Sequence, residues 1–356
     1  MTHVLGHGLV GLPALLGTAG VVDEAMAGTS DALTYSAMAV YAGSLVAYAV
    51  DLAGSRRVVT VRGRDARQPV AAGAVGPSAG APDVADAAGA GAAGAAGPTP
   101  GAPAPGGSRA GGIGTSLFVL ATVLHAAAVL TRGLAVSRVP WSDAYEFALT
   151  GSLAVSLVYL VLLRTGGWRW LGTFVVVPVL LTLMVATSFF YTNASALSPA
   201  LQSSWLVVHV SIAFVASALF TIGFSLAVVQ LAQHRQEAAL TAGAAPGRFL
   251  QHVPSADRLE QVSFRLHAVG FVLWTFTVVG GAIWAAEAWG RYWGWDPKEV
   301  WSFVIWVVYA AYLHARSTAG WAGTRSAWIA VLGFACLLFN FFGVNYLFVG
   351  NHSYAL

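Results

Sequence analysis

Eight stretches of the chain, about 32–50, 113–131, 147–163, 171–190, 205–230, 267–286, 300–315 and 326–348, are almost wholly apolar. Each is close to the length that crosses a hydrocarbon core of roughly 30 Å. Such a core offers no water to the backbone, so an apolar stretch of that length must satisfy its own N–H and C=O groups as a helix. With 57% hydrophobic and 9% charged residues, the 356-residue chain lacks the polar surface of a soluble domain. The expected fold is an all-α polytopic integral membrane protein with about eight transmembrane helices.

The remaining residues divide the chain. Residues 1–31 are glycine-rich and mildly apolar, without the basic start and compact apolar core of a signal peptide. They are expected to form a tail or interfacial segment before the first span at 32–50. Residues 51–112 begin with arginines and turn, from about 68, into almost pure Ala, Gly and Pro. That composition cannot build a core, and a disordered loop is expected. Residues 113–348 hold seven spans, and 349–356 form a C-terminal tail that carries His352. Segments 51–112, 164–170, 231–266 and 316–325 hold most of the arginines, whereas the alternate segments hold only Arg132, Arg138, Arg291 and the lone lysine, Lys298. The positive-inside rule then puts both termini outside the cell.

Several chemistries are excluded. A formal charge of +3 gives no surface for nucleic acid. The single cysteine, Cys336, lies in an apolar span, so this chain alone can run neither a disulfide framework nor thiol redox chemistry. There is no HExxH pattern and no phosphate-binding loop.

The densest feature is the run 289–302, WGRYWGWDPKEVWS, on the outward side. With Trp284 and Trp306 it gathers six of the thirteen tryptophans. An interfacial aromatic belt is the plain explanation, yet anchoring needs only one or two such rings. Rings on short glycine-bearing turns suit stacking against a flat apolar partner. Asp296 is placed to cap a helix, Pro297 fits its first turn, and Glu299 falls at the capping-box position.

The same topology puts His209 and His352 on the side of the tryptophans and at similar depth. Imidazole is a good axial ligand for haem iron. The alternatives are a polar contact between helices for His209 and an exposed tail residue for His352. Arg132, Arg138 and Arg291 share that side and are suited to haem propionates or, equally, to lipid headgroups. His314, His125 and His267 lie within spans, where a histidine is either functional or bonded within the bundle. His234 and His252 fall in a loop and call for no special role.

The run 289–302 strongly resembles the WWD signature of haem-handling proteins. More narrowly it resembles the System II cytochrome c biogenesis family CcsA, also called ResC and, in actinobacteria, often CcsB. Further matches are 140–146 (PWSDAYE), 280–285 (GGAIWA), 309–316 (YAAYLHAR), 345–347 (NYL) and 351–354 (NHSY), so the resemblance covers about 113–354. The Pro-Lys-Glu continuation favours System II over the System I relatives, while the Ala/Gly/Pro-rich loop departs from the family pattern. The resemblance implies a haem-handling subunit of a holocytochrome c synthase (a cytochrome c haem lyase) in the bacterial cell membrane. That subunit would carry haem b to the outer face and position its vinyl groups for thioether attachment to CxxCH apocytochromes. His209 and His352 would ligate the iron outside, over a platform of Trp289, Trp293, Trp295 and Asp296, with Arg132 and Arg291 near the propionates. His314 would ligate haem at an inner site completed by a ResB-like partner, with His125 as an internal alternative. Thiol-reducing pathway proteins would be further partners. A haem exporter or chaperone without a role in ligation, a non-haem transporter and a structural scaffold are the rival functions. The last two predict no bound haem.

Overall fold

The computed structural model describes residues 22–54, 108–195, 201–245, 250, 253–318 and 320–352. Most of the expected N-terminal segment, nearly all of the 51–112 loop, His252 and the last four residues of the tail lie outside the described residues.

The described residues form nine α-helices and no strand. They are α1 Glu24–Gly54, α2 Arg109–Ala135, α3 Ala144–Arg164, α4 Gly172–Phe189, α5 Ser204–Thr241, α6 Ala256–Trp289, α7 Pro297–Thr318, α8 Thr324–Leu338 and α9 Val344–Leu347. Helix α4 is led in by a 3₁₀ turn at Arg169–Leu171, and α8 runs into α9 through a π turn at Phe339–Gly343. Seven rods have the length and apolar composition to cross a membrane. The eighth expected span falls on α7, which is 22 residues long but less apolar, carrying Lys298 and Glu299 at its start and His314 and Arg316 near its end. The expected polytopic helical architecture is therefore the one observed.

Helix boundaries follow local chemistry. Helix α1 starts at Glu24, ahead of the first apolar stretch, because the Asp23 carboxylate accepts the Met26 amide at 3.0 Å. The Asp143 carboxylate accepts the Glu146 amide at 2.8 Å and so caps α3. In the π turn the Val344 amide donates to the carbonyl of Phe339. The Asn340 carbonyl is thereby left for the Lys298 ammonium, 2.8 Å away.

Lipid tails give helices no hydrophobic reason to associate, so close packing must do it. Helices α1 to α5 meet around Tyr41, Tyr48, Phe118 and Tyr159. Helices α5 to α8 meet around Phe220, Trp274, Tyr309 and Phe334. Gly114 and Gly172 both lie against the Tyr48 ring; a Cβ on Gly114 would sit 2.9 Å from Tyr48 Cδ1. A smaller third cluster, with Trp284, Leu206, Val210 and Phe214, lies beneath the tryptophan loop.

One ionic knot ties down the same end. The Glu146 carboxylate, fully buried, accepts from Arg132 Nε at 3.1 Å and from Arg138 Nη1 at 2.6 Å. It also takes the Ser142 amide at 3.0 Å. The two guanidinium groups reach on to the carbonyls of Thr192 and Ser195, at 2.8 and 3.0 Å. The α2–α3 connection is thus fastened to the chain beyond α4. Removing one partner of a buried ion pair leaves an uncompensated charge. Glu146→Gln is expected to destabilise the detergent-solubilised protein by about 3–5 kcal/mol. The check is a drop in its thermal midpoint, with a surface Glu237→Gln variant as the control.

Candidate functional site

Helix α6 stops at Trp289 because Gly290 takes a left-handed conformation, φ 71°, with its amide on the Ala286 carbonyl at 3.0 Å. The chain re-enters helix at Asp296–Pro297. The expected capping box is present: Asp296 Oδ1 accepts the Lys298 amide at 3.1 Å, and Glu299 Oε2 accepts the Asp296 amide at 3.0 Å. Glu299 Oε2 also takes the Gly294 amide at 2.8 Å, which closes the tryptophan loop on itself.

Asp296 does more than cap α7. Its Oδ2 accepts the Asn351 amide at 2.6 Å and its Oδ1 accepts His352 Nδ1–H at 2.7 Å. The chain can come this close because position 350 is glycine; a Cβ there would collide with Asp296 Oδ2. Burial alone would raise the Asp296 carboxyl. The hydrogen bond and charge of His352, with the Asn351 and Lys298 amides, outweigh it and hold the group below the ordinary aspartate range.

His209 sits on α5 near its start, with Nδ1 2.8 Å from the Thr277 carbonyl. A carbonyl can only accept, so Nδ1 carries the proton and the lone pair of the neutral ring lies on Nε2. Gly281 makes room for the ring, since a Cβ there would be 2.8 Å from His209 Cε1. The His209 ring stacks on Trp284 at 6.1 Å and 13°. The His352 ring meets Trp284 edge-on at 5.6 Å and Trp289 at 4.9 Å.

Both histidines line one cavity of about 180 Å³, whose walls include Trp141, Phe147, Trp274, Trp289 and Trp293. Each imidazole is oriented through Nδ1 by a carbonyl or carboxylate, which is how proteins set a histidine whose Nε2 is to ligate a metal. Among the described residues no three His, Cys, Asp or Glu side chains are grouped to hold a metal ion. Two imidazoles suit a metal that arrives with its own equatorial ligands, as porphyrin iron does.

Other residues singled out from the sequence lie elsewhere. Trp295 is 74% exposed and packs edge-on against Trp293 at 5.8 Å, outside the cavity wall. Asp296 also stays out of the wall and acts by holding His352. Arg132 is committed to the Glu146 knot, and the Arg291 guanidinium lies over Gly294. His125 is bonded within the bundle, Nε2 to the Leu149 carbonyl at 2.9 Å and Nδ1 to the Tyr41 hydroxyl at 3.5 Å. His267 is likewise buried, with Nδ1 2.8 Å from the Ser263 carbonyl. His314 is exposed near the far end of α7 and is not brought to the cavity. Four contributors carried no role in the sequence reading: Thr277, Gly281, Trp284 and Lys298. The paired glycines before Trp284 and the lone lysine within the tryptophan run were the visible signals.

Residues 141–352 match the family described as Cytochrome C assembly protein. The chain is 34% identical over 283 residues to "Cytochrome c biogenesis protein CcsA" of Synechococcus elongatus, covering 68% of this chain and 87% of the relative. It is 37% identical over 262 residues to the protein of that name from Synechococcus sp. (strain RCC307), covering 67% and 83%. The fold resembles a solved structure entitled "Cytochrome c Heme Lyase CcmF", with TM-score 0.60 and 15% identity. That match covers 92% of this chain, which spans 48% of the solved one.

A carboxyl with a depressed pKa stabilises the folded form above its ordinary value, and the contribution is lost as pH falls through the depressed one. The 348–352 segment should therefore stay protected at pH 7 and pH 5 and loosen only in stronger acid. Hydrogen–deuterium exchange, corrected for its intrinsic pH dependence, reads this directly. Asp296→Ala should remove the protection at every pH, by about 1.5–3 kcal/mol or roughly tenfold and more in exchange rate.

Proposed function

The chain belongs to the cytochrome C assembly protein family, and on that premise we propose that it is the haem-handling subunit of a System II cytochrome c synthase, of the actinobacterial CcsB type. Its cargo is haem b, gripped at the tryptophan end of the bundle by His209 and His352. The observation that carries this reading is the pair of imidazoles on one aromatic cavity, each held through Nδ1 by a protein oxygen. The arginine distribution supports placing that end, with its WWD run, outside the cell.

The two ligands are mounted differently. His209 is fixed on a long helix, while His352 hangs on a short segment after α9, held by Asp296. The cavity, about 180 Å³, is below the roughly 300–1,000 Å³ of ordinary ligand pockets. Admitting a porphyrin therefore requires Trp284, Trp289 and His352 to part, and His352 is the member free of helix. It is also the ligand expected to yield when the histidine of a CxxCH segment arrives. Thioether formation adds a cysteine S–H across a haem vinyl group, with the thiols coming from the apocytochrome, whose reduction falls to separate thiol-reducing proteins. The contribution of this chain is to hold the macrocycle in one orientation, which is catalysis by positioning.

An exposed histidine on a membrane helix is costly without a partner. His314 supports a second haem contact, completed by a ResB-like protein against α7.

The test is the reduced-minus-oxidised absorption spectrum of the protein co-purified with its ResB-like partner. A six-coordinate haem signal is expected. His209→Ala and His352→Ala should each lower haem retention about 10–100-fold, with imidazole restoring the spectrum. His314→Ala should lower haem loading of the whole complex. Wild-type protein without haem, or spectra indifferent to both cavity histidines, would overturn the proposal.

A further inference from the structure

A second and larger hollow, about 600 Å³, lies beside the histidine cavity between α3, α4, α5 and the π turn. On α5 its lining runs from Ala213 to Val228. Fifteen helical rises make that about 22 Å, more than half the thickness of the hydrocarbon core. Val177, Leu181 and Leu338 at its rim are 39%, 51% and 41% exposed, so the hollow opens sideways toward lipid between α4 and α8. It is a groove, not a sealed void.

Its chemistry is distinctive. The floor is a stripe of Ser217, Thr221 and Ser225, one turn apart on α5, between phenylalanine and aliphatic walls. The lining contains no histidine, cysteine, methionine or carboxylate, and its one charge is Lys298. Two polar atoms in the wall are buried without a partner, Thr173 Oγ1 toward one end and Asn340 Oδ1 at the other. At the Asn340 end six residues, Phe147, Ala213, Trp274, Lys298, Asn340 and Phe341, line the groove and the histidine cavity alike. Lys298 reaches across this shared wall, its Nζ on the Asn340 carbonyl at 2.8 Å and 5.7 Å from the centre of the Phe341 ring.

We propose that the groove is a porphyrin transit site: a flat apolar macrocycle bearing carboxylates enters from the bilayer between α4 and α8, pairs a carboxylate with Lys298, and passes the shared wall into the histidine cavity. This rests on the haem-handling reading and adds a route for the cargo. Three features select the occupant. The groove is continuous with the cavity built for the macrocycle, its walls are apolar and aromatic, and its only charge is a cation at the junction. A site without any group to ligate iron holds haem more loosely than two imidazoles do, and loose holding suits passage rather than storage. Lys298 is the binding residue of this step; no bond is made or broken in it.

Metal-free protoporphyrin IX separates this site from the histidine cavity, because it has no iron to ligate. The full chain with its ResB-like partner, in phosphatidylcholine nanodiscs, is titrated with protoporphyrin IX, and porphyrin anisotropy and tryptophan quenching are followed. Affinity should change less than about twofold in the His209→Ala/His352→Ala double variant. It should fall about tenfold in Lys298→Met, the scale of one lost charge-assisted hydrogen bond, and recover in Lys298→Arg. Val177→Trp with Leu181→Trp, which plugs the rim from its lipid side without touching the core, should weaken binding to a similar degree. Hemin should displace the probe, whereas phosphatidylglycerol in the nanodisc should not. Binding that vanishes in the double-histidine variant, ignores Lys298 and the rim, or is displaced by the acidic lipid would overturn the proposal. Iron spectra on the same samples keep the two readings apart. Loss of histidine ligation with Lys298-dependent porphyrin binding intact would sink the ligation reading alone, and the reverse pattern would sink the transit site alone.

Discussion

The carboxylate of Asp296 accepts hydrogen bonds from the Lys298 amide, the Asn351 amide and the His352 ring, joining segments 55 residues apart in sequence. One group therefore starts α7, ends the tryptophan loop and sets the orientation of an imidazole. A neutral side chain of the same shape keeps the cap but gives up the charge that fixes the proton on His352 Nδ1. In a partly dry site that charge has more leverage than it would in water. The rest of the cavity, with Trp284 and Trp289 against the His352 ring, is assembled on a tail that would otherwise have only a single-turn helix behind it.

Two carboxylates at this end of the bundle have separate tasks. Glu146 is surrounded by guanidinium groups and backbone donors and holds the scaffold together. Asp296 lies where scaffold meets site and holds a movable part. The division explains why one acid is fully enclosed between two cations while the other faces a single imidazole. A rigid frame with one loosely mounted ligand is what a protein needs if it must grip a cargo and later release it.

The sequence reveals much of this and hides the rest for identifiable reasons. Helical spans follow from composition because the bilayer leaves the backbone no alternative. The capping box follows from Asp296, Pro297 and Glu299 because its rules reach only three residues. Pairing His209 with His352 follows from topology, since spans of known parity sort residues by side. The fate of Arg132 does not: headgroup, propionate and protein carboxylate are equivalent partners until the fold brings Glu146 to its Nε. His125 is similar, since its enclosure by Tyr41 and the Leu149 carbonyl depends on how α1, α2 and α3 pack. The groove beside the cavity is invisible in sequence because it is made by helices that fail to touch.

The π turn at Phe339–Gly343 has a consequence for how the gene can change. An α-helix advances about 100° per residue, and a π turn is in effect one residue added to such a helix. Deleting a single codon there would let the helix close into regular α geometry, turning everything beyond it by about that angle. Asn351 and His352 would leave Asp296 although every ligand and every tryptophan was still encoded. Substitutions between 339 and 343 alter packing locally, but a change in length alters the aim of the tail. Length in this short stretch should be held more strictly than residue identity.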